Sequence, residues 1–244
     1  MDFIKSLLPM KSADQELLAT IIANGSIWQI ESSISRGANP NAQDYRSCVS
    51  KGYQGYTPLH YASNWRVKNR KRKELVKLIL NAAGDPNIQS KYGHSPLHNF
   101  ALKGDDESIE LLLQSGAQVD CFNKSGYTPL HHACEFGHLS TVRMLLQWNA
   151  SVNSFLPKVE RKRDGKTPLH SAVQSLNIDV VKLLVGHGAN PTLATEGSRT
   201  IKQTPLQYAI DHARLIKHGY NPSEEDRAAS QQAISIIIEY LKTL

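Results

Sequence analysis

The sequence predicts an all-α solenoid assembled from short helix-turn-helix repeats. Three observations carry that expectation. The stretch from Gly126 to His138 holds a turn, a helix start and a helix stop within thirteen residues. Its opening, Thr128-Pro129-Leu130-His131, recurs as Thr57-Pro58-Leu59-His60, Ser95-Pro96-Leu97-His98, Thr167-Pro168-Leu169-His170 and Thr204-Pro205-Leu206-Gln207. A second signature follows at a fixed distance: Gly37-Ala38-Asn39-Pro40-Asn41, Gly84-Asp85-Pro86-Asn87, Gly116-Ala117-Gln118-Val119-Asp120 and Gly188-Ala189-Asn190-Pro191.

Each part of the cassette has a physical reading. Gly126 suits a turn that needs positive φ. Thr128 can cap a helix with its hydroxyl, and Pro129 fits the first helical position, where no N–H is needed. Leu130, Ala133 and Cys134 form an apolar face at helical spacing. Gly137 ends that helix in a left-handed conformation at little cost. Val142, Leu145 and Leu146 make the apolar face of a second helix that must lie against the first. From Ser95 to Thr128 the start signal returns after 33 residues, the period of ankyrin repeats. On these residues the chain resembles the ankyrin repeat family, over nearly all of its 244 residues. That resemblance implies a fold; a fold alone assigns no function.

In chain order, the first repeat (about 14–46) is disguised. Glu16 to Gly25 stands where the Thr-Pro-Leu-His helix is expected, as suits a terminal repeat whose outer face meets water. The second (about 53–90) is five residues too long, with the excess between its helices at 65–73. The third (about 91–123) is regular and the fourth covers about 124–156. The fifth covers about 163–195, and the sixth, about 200–244, is interrupted at 218–226 and closes with a helix from Ile234 to Leu241. One repeat domain over 1–244 is the expected organisation. The connecting fingers are uneven. Eight residues separate Asp120 from Thr128, but 16 separate Asn41 from Thr57, 14 separate Asn153 from Thr167 and 12 separate Thr192 from Thr204. Long loops on repeat stacks often mark the binding face, and they also cost little stability, so both readings stand.

Charged residues make up 20% of the chain and aromatic residues 7%, ordinary for a soluble protein. Cys48, Cys121 and Cys134 show no paired spacing, which points to a reducing compartment. The stretch Met1 to Met10 is too short and interrupted for the apolar part of a signal peptide. No run approaches transmembrane length. A cytoplasmic location is therefore expected, extended to the nucleus for a eukaryotic regulator or to a host cytosol for a secreted bacterial effector.

The net charge of +6 is concentrated in two stretches. Arg66, Lys68, Arg70, Lys71, Arg72 and Lys73 fill the second repeat's insertion. Lys158, Arg161, Lys162 and Arg163 face only Glu160 in the fourth finger. These read as basic loops for phosphate groups, an acidic partner or a nuclear import receptor; the alternative is a pair of solvated loops. Nucleic acid is not the expected ligand, because no recognised motif or interleaved aromatics accompany the charge.

Catalytic candidates dissolve under the repeat register. His60, His98, His131 and His170 share one repeated position, and the resemblance implies a structural role for it. His131-His132-Ala133-Cys134 looks like a nucleophile beside a base, but Cys134 falls where the helix is packed. No His/Cys spacing matches a zinc site, and no glycine-rich phosphate loop is present. The expectation is no catalytic residue, no metal, no cofactor and no small-molecule substrate, with an enzyme that uses the repeats as scaffold kept as the alternative.

What remains is a protein-binding module, expected to be a monomer without membrane insertion. The resemblance implies a concave face made by finger residues before the Thr-Pro and by the ends of the first helices. Carried onto this chain, the partner-binding candidates are Tyr53, Tyr56, Trp65, Tyr92, His94, Lys103, Tyr127, Glu135 and Phe136. The fifth repeat offers Arg163, Asp164, Lys166, Gln174 and Ser175, and the sixth Thr200, Ile201, Gln203, Asp211 and His212. Trp65, Tyr92 and Phe136 are the expected anchors, since aromatic residues dominate interface energies.

Overall fold

The computed structural model describes residues 12–46, 51–64, 69–155, 165–195, 202–218 and 224–244. Twelve α-helices occur among them: α1 (Ser12–Ile22), α2 (Ile27–Ser35), α3 (Pro58–Ala62), α4 (Asn69–Asn81), α5 (Pro96–Lys103), α6 (Asp106–Gln114), α7 (Pro129–Glu135), α8 (Leu139–Gln147), α9 (Pro168–Gln174), α10 (Ile178–Gly186), α11 (Pro205–His218) and α12 (Glu224–Lys242). They associate as six consecutive pairs. The β structure among the described residues is one isolated antiparallel bridge, Asp44 to Tyr56.

The chain divides into two compact units, Met1–Lys124 and Ser125–Leu244, each holding three helix pairs. In the first unit α1, α3 and α5 pack in succession, as do α2, α4 and α6. In the second, α7, α9 and α11 form one row and α8, α10 and α12 the other. The first core is built from Leu17, Leu18, Ile30, Leu59, Ile79 and Phe100, and the second from Leu130, Val142, Leu169, Val181, Leu184 and Ile237, all essentially inaccessible. Full burial of such a side chain contributes about 1.5–3 kcal/mol.

The repeated helix start explains the pairing of neighbours. Proline stands at the first turn of α3, α5, α7 and α9. The backbone N–H of Thr57 donates to His60 Nδ1 at 3.1 Å, and Ser95, Thr128 and Thr167 do the same to His98, His131 and His170. An accepting Nδ1 leaves the proton on Nε2. That nitrogen donates to the finger of the next repeat: His60 to the His94 carbonyl at 2.8 Å, His131 to Lys166 at 2.9 Å and His170 to Gln203 at 2.9 Å. Burial holds His60 and His170 down to a pKa of about 4 and His131 to about 3. These histidines are neutral latches.

The closing signature carries a second latch. Asn41 Nδ2 donates to the Ala83 carbonyl while the Asp85 N–H donates to Asn41 Oδ1. Asn87 repeats the pair with Gly116 and Gln118, and Asn153 with Gly188 and Asn190.

The described part of the second repeat's basic run, Arg70 to Lys73, is not a loop. Arg70, Lys71, Arg72 and Lys73 lie in the first turns of α4, pulled into the helix by the buried face of Leu75, Val76 and Ile79. Positive charge at a helix N-terminus is unfavourable, and the next repeat offsets it. Arg72 Nη1 lies 3.0 Å from Asp105 Oδ2, and Lys73 Nζ lies 3.7 Å from Glu107. Asp105 is buried and caps α6, accepting from the Ser108 N–H and hydroxyl. Arg72 is thus part of the framework. Arg66, Lys68, Lys158, Arg161, Lys162 and Arg163 lie outside the described residues, as does Trp65.

Candidate functional site

In the first unit the long finger between Asn41 and Thr57 is pinned at its base. The Asp44 N–H donates to the Tyr56 carbonyl at 2.9 Å, and the Gly55 N–H donates to the Asp44 carbonyl at 2.7 Å. The Asp44 carboxylate is 0% exposed. It accepts from Arg46 Nε at 2.8 Å, from Nη2 at 2.7 Å and from the Tyr61 hydroxyl at 3.0 Å. Burial alone would raise the Asp44 pKa, but the Arg46 hydrogen bonds and charge and the Tyr61 hydroxyl outweigh it and hold it below the usual range. Burial, and then the Asp44 charge, push the Tyr61 phenol up.

Three tyrosines pack over that anchor. Tyr53 meets Tyr56 edge-on at 5.2 Å and stacks on Tyr61 at 6.3 Å, and Tyr56 meets Tyr61 at 5.4 Å. Beside them opens a groove of about 300 Å³ lined by Tyr53, Tyr56, Asn64, Asn99, Leu102 and Lys103. Its far wall is the end of α5. The fingers around it dock by close backbone contact. At Gly55, with φ +77°, a Cβ would stand 2.8 Å from the Lys91 nitrogen, and at Gly93, with φ +78°, 2.7 Å from the Lys124 nitrogen.

The structure sorts the expected residues. Tyr53 is 41% exposed, and Tyr92 is similarly open. Tyr56, which the sequence leaves equally open to binding or to packing on the neighbouring finger, is a packing residue only 9% exposed, with its ring stacked on His60 at 4.9 Å. A ring this close to the latch has no room to face solvent, although its edge reaches the groove. Lys103 is exposed. His94 is half-buried, edge-on to His98 at 5.5 Å, and its carbonyl holds the His60 latch.

In the second unit the corresponding residues are tied to one another. Lys166 Nζ donates to the Tyr208 hydroxyl at 3.1 Å and lies 4.9 Å from the centre of that ring. The Tyr208 hydroxyl donates to Gln174 Oε1 at 3.2 Å, and Gln174 Nε2 donates to Glu135 Oε1 at 3.3 Å. Glu135 Oε2 faces His132 Nδ1 at 3.7 Å. The His132 contact and the Lys166 charge outweigh burial and hold the Glu135 carboxyl below its usual range. Tyr127 is half-buried and stacked on His131 at 5.3 Å. Phe136, 51% exposed, stacks on His138 at 6.3 Å. Gln203 binds Asp211, which also takes Arg214 at 3.0 Å. Burial and the Lys166 charge lower the His212 pKa.

Sequence reasoning missed one register position. Tyr61, Asn99, His132, Ser171 and Tyr208 each immediately follow the fourth residue of the Thr-Pro-Leu-His cassette or its variant. Tyr61 anchors the finger, Asn99 lines the groove, and His132 and Tyr208 close the second unit's network. Variation at this place, inside an otherwise fixed cassette, was the available signal.

Cys134 is fully buried, and burial pushes its thiol up. Cys121 Sγ rests 3.2 Å from Ser95 Oγ with its pKa also raised by burial. Among the described residues no group of His, Cys, Asp or Glu is arranged to hold a metal ion. No described helix is long and apolar enough to cross a membrane.

A family model described as ankyrin repeats (3 copies) matches residues 64–155 and again 155–226. A search of curated proteins finds no match.

Proposed function

The chain belongs to the ankyrin repeat family, and from that premise we propose that it is a non-enzymatic module whose first unit binds a partner protein in the groove beside Tyr53. The single observation behind this reading is that the finger insertion builds a wall. A buried ion pair and three packed tyrosines hold the insertion against α3, and the exposed Tyr53 ring borders a groove of about 300 Å³. A drifting loop needs no such anchor. Tyr92, open on the next finger, is a further exposed aromatic residue of this unit, and exposed apolar area commonly marks an interface. Phe136 is a second proposed anchor, in the second unit.

We place the protein in a reducing, cytosolic setting, in keeping with the buried Cys134 thiol. A secreted effector and a eukaryotic regulator would both use such a surface, and the identity of the partner separates them. The test is affinity purification with mass spectrometry on the full chain beside Tyr53→Ala, followed by calorimetry on the partner recovered. The expected result is a partner whose affinity falls by about 2 kcal/mol or more with Tyr53→Ala while the melting temperature stays put. A partner indifferent to Tyr53 and Tyr92 would contradict the proposal.

A further inference from the structure

Resting on that reading of the groove, we infer that it takes a carboxylate side chain, Asp or Glu, carried by a segment of the partner protein, with Lys103 as the cation and the Asn99 amide as the neutral donor.

Two donors at the groove, Lys103 and Asn99, have no acidic partner among the described residues. Lys103 stands at the end of α5, exposed, and makes no ion pair among the described residues. Asn99 is only 8% exposed and lines the groove. Its Nδ2 leans on the Tyr56 hydroxyl but makes no hydrogen bond of ordinary geometry. A buried donor left without an acceptor is costly, and native structures rarely keep one unless something else satisfies it. Among the described residues no acidic side chain lines the groove. Two buried carboxylates of this unit are already engaged, Asp44 by Arg46 and Tyr61 and Asp105 by Arg72 and Ser108.

Size and charge select within the acceptor class. About 300 Å³ lies at the small end of ligand pockets, enough for one or two side chains. The Tyr53 ring gives the methylenes of a glutamate an apolar wall. One lysine matches one negative charge. A phosphate monoester carries about −1.5 to −2 at pH 7 and is usually met by clustered arginines, and among the described residues no arginine lines this groove. The neighbouring Lys91 is occupied by Gln54 Oε1. Lys103 also sits favourably at a helix C-terminus, which explains a lysine there without any ligand, so the test must separate the two roles.

That test is selection of random displayed peptides on the full chain. Recovered peptides should share an Asp or Glu whose change to Asn or Gln weakens binding about tenfold or more, as for a charge-assisted hydrogen bond. Tyr53→Ala should weaken the same peptides. Lys103→Glu should abolish their binding, and a fresh selection on that variant should favour Lys or Arg at the same place. Its melting temperature should match the parent, because the side chain is exposed. Peptides that need Tyr53 but show no acidic preference would overturn the carboxylate inference and leave the binding reading intact. Peptides indifferent to Tyr53, or no peptides, would remove both. Displacement by inorganic phosphate together with indifference to the acid-to-amide change would reassign the groove to a phosphorylated ligand and overturn the inference.

Discussion

Lys103 and Lys166 occupy comparable places on a repeat face, Lys103 at the end of α5 in the first unit and Lys166 just before Thr167 in the second. Their surroundings differ in kind. Lys166 donates to Tyr208, which donates to Gln174, which donates to Glu135, which faces His132. Lys103 borders a groove in which an amide donor and an exposed aromatic ring face no acid. The difference teaches that position on a repeat face does not by itself make a residue available. In the second unit Lys166, Tyr208, Gln174 and Glu135 are linked to one another in a chain of hydrogen bonds. In the first, an inserted finger takes on the packing through Asp44, Arg46 and Tyr61 and leaves groove residues unmatched.

The largest effect expected from breaking that arrangement is at the anchor. Arg46→Ala leaves the Asp44 carboxylate buried without a cation and should cost about 3–5 kcal/mol, read by denaturant unfolding. It should also weaken partner binding, because Tyr53 rests on the same anchor. Tyr53→Ala removes the ring alone and should lose binding without that loss of stability.

Acid should act next, in both units. His60 and His170 titrate near pH 4 and His131 near 3 in the folded chain, against an ordinary value of 6.5. Below pH 6.5 the unfolded chain therefore binds more protons than the folded one. Stability falls as pH drops from 6.5 toward 4, by up to about 1.4 kcal/mol per pH unit for each latch. Glu135 and Asp44, with lowered values, add losses of the same sign at the acidic end. Melting curves from pH 7.5 to 4 check this, and a flat profile above pH 5 would mean the latches are not neutral and buried.

Arg72→Ala should cost about 2 kcal/mol by leaving the buried Asp105 carboxylate without its ion pair, less than a full burial penalty because Ser108 still donates to it. Exchanging the exposed Lys71 for Ser should change little, so the pair of melting curves separates framework charge from solvated charge within one basic run. Lys166→Met, which breaks the second unit's network, should cost about 1 kcal/mol. Phe136→Ala should shift stability by about 0.5 kcal/mol or less, in line with an exposed ring.

The helices were legible because their signals are local. Pro129 at a first turn, Thr128 at a cap and His131 three residues on announce a helix start wherever they recur, and the 33-residue return locates the partner. The anchor of the first finger was not legible. Asp44, Arg46 and Tyr61 come together through a bridge to Tyr56 that has no periodic signature. The basic run misled for a related reason. Its charges read as a loop, but Leu75, Val76 and Ile79 extend the helix back through it, and the compensating Asp105 lies a repeat away. Tyr208 and Asn99 hid inside a cassette whose fixed residues drew the attention.

The account turns on Lys103 being available and Lys166 being engaged, and amine labelling of the folded full chain with peptide-resolved mass spectrometry reads that without any partner. Lys103 should be acylated at the rate of an exposed lysine such as Lys77, and Lys166 several-fold more slowly, with the difference vanishing in denaturant. Equal protection of the two, or a slower Lys103, would contradict the distinction between the two faces.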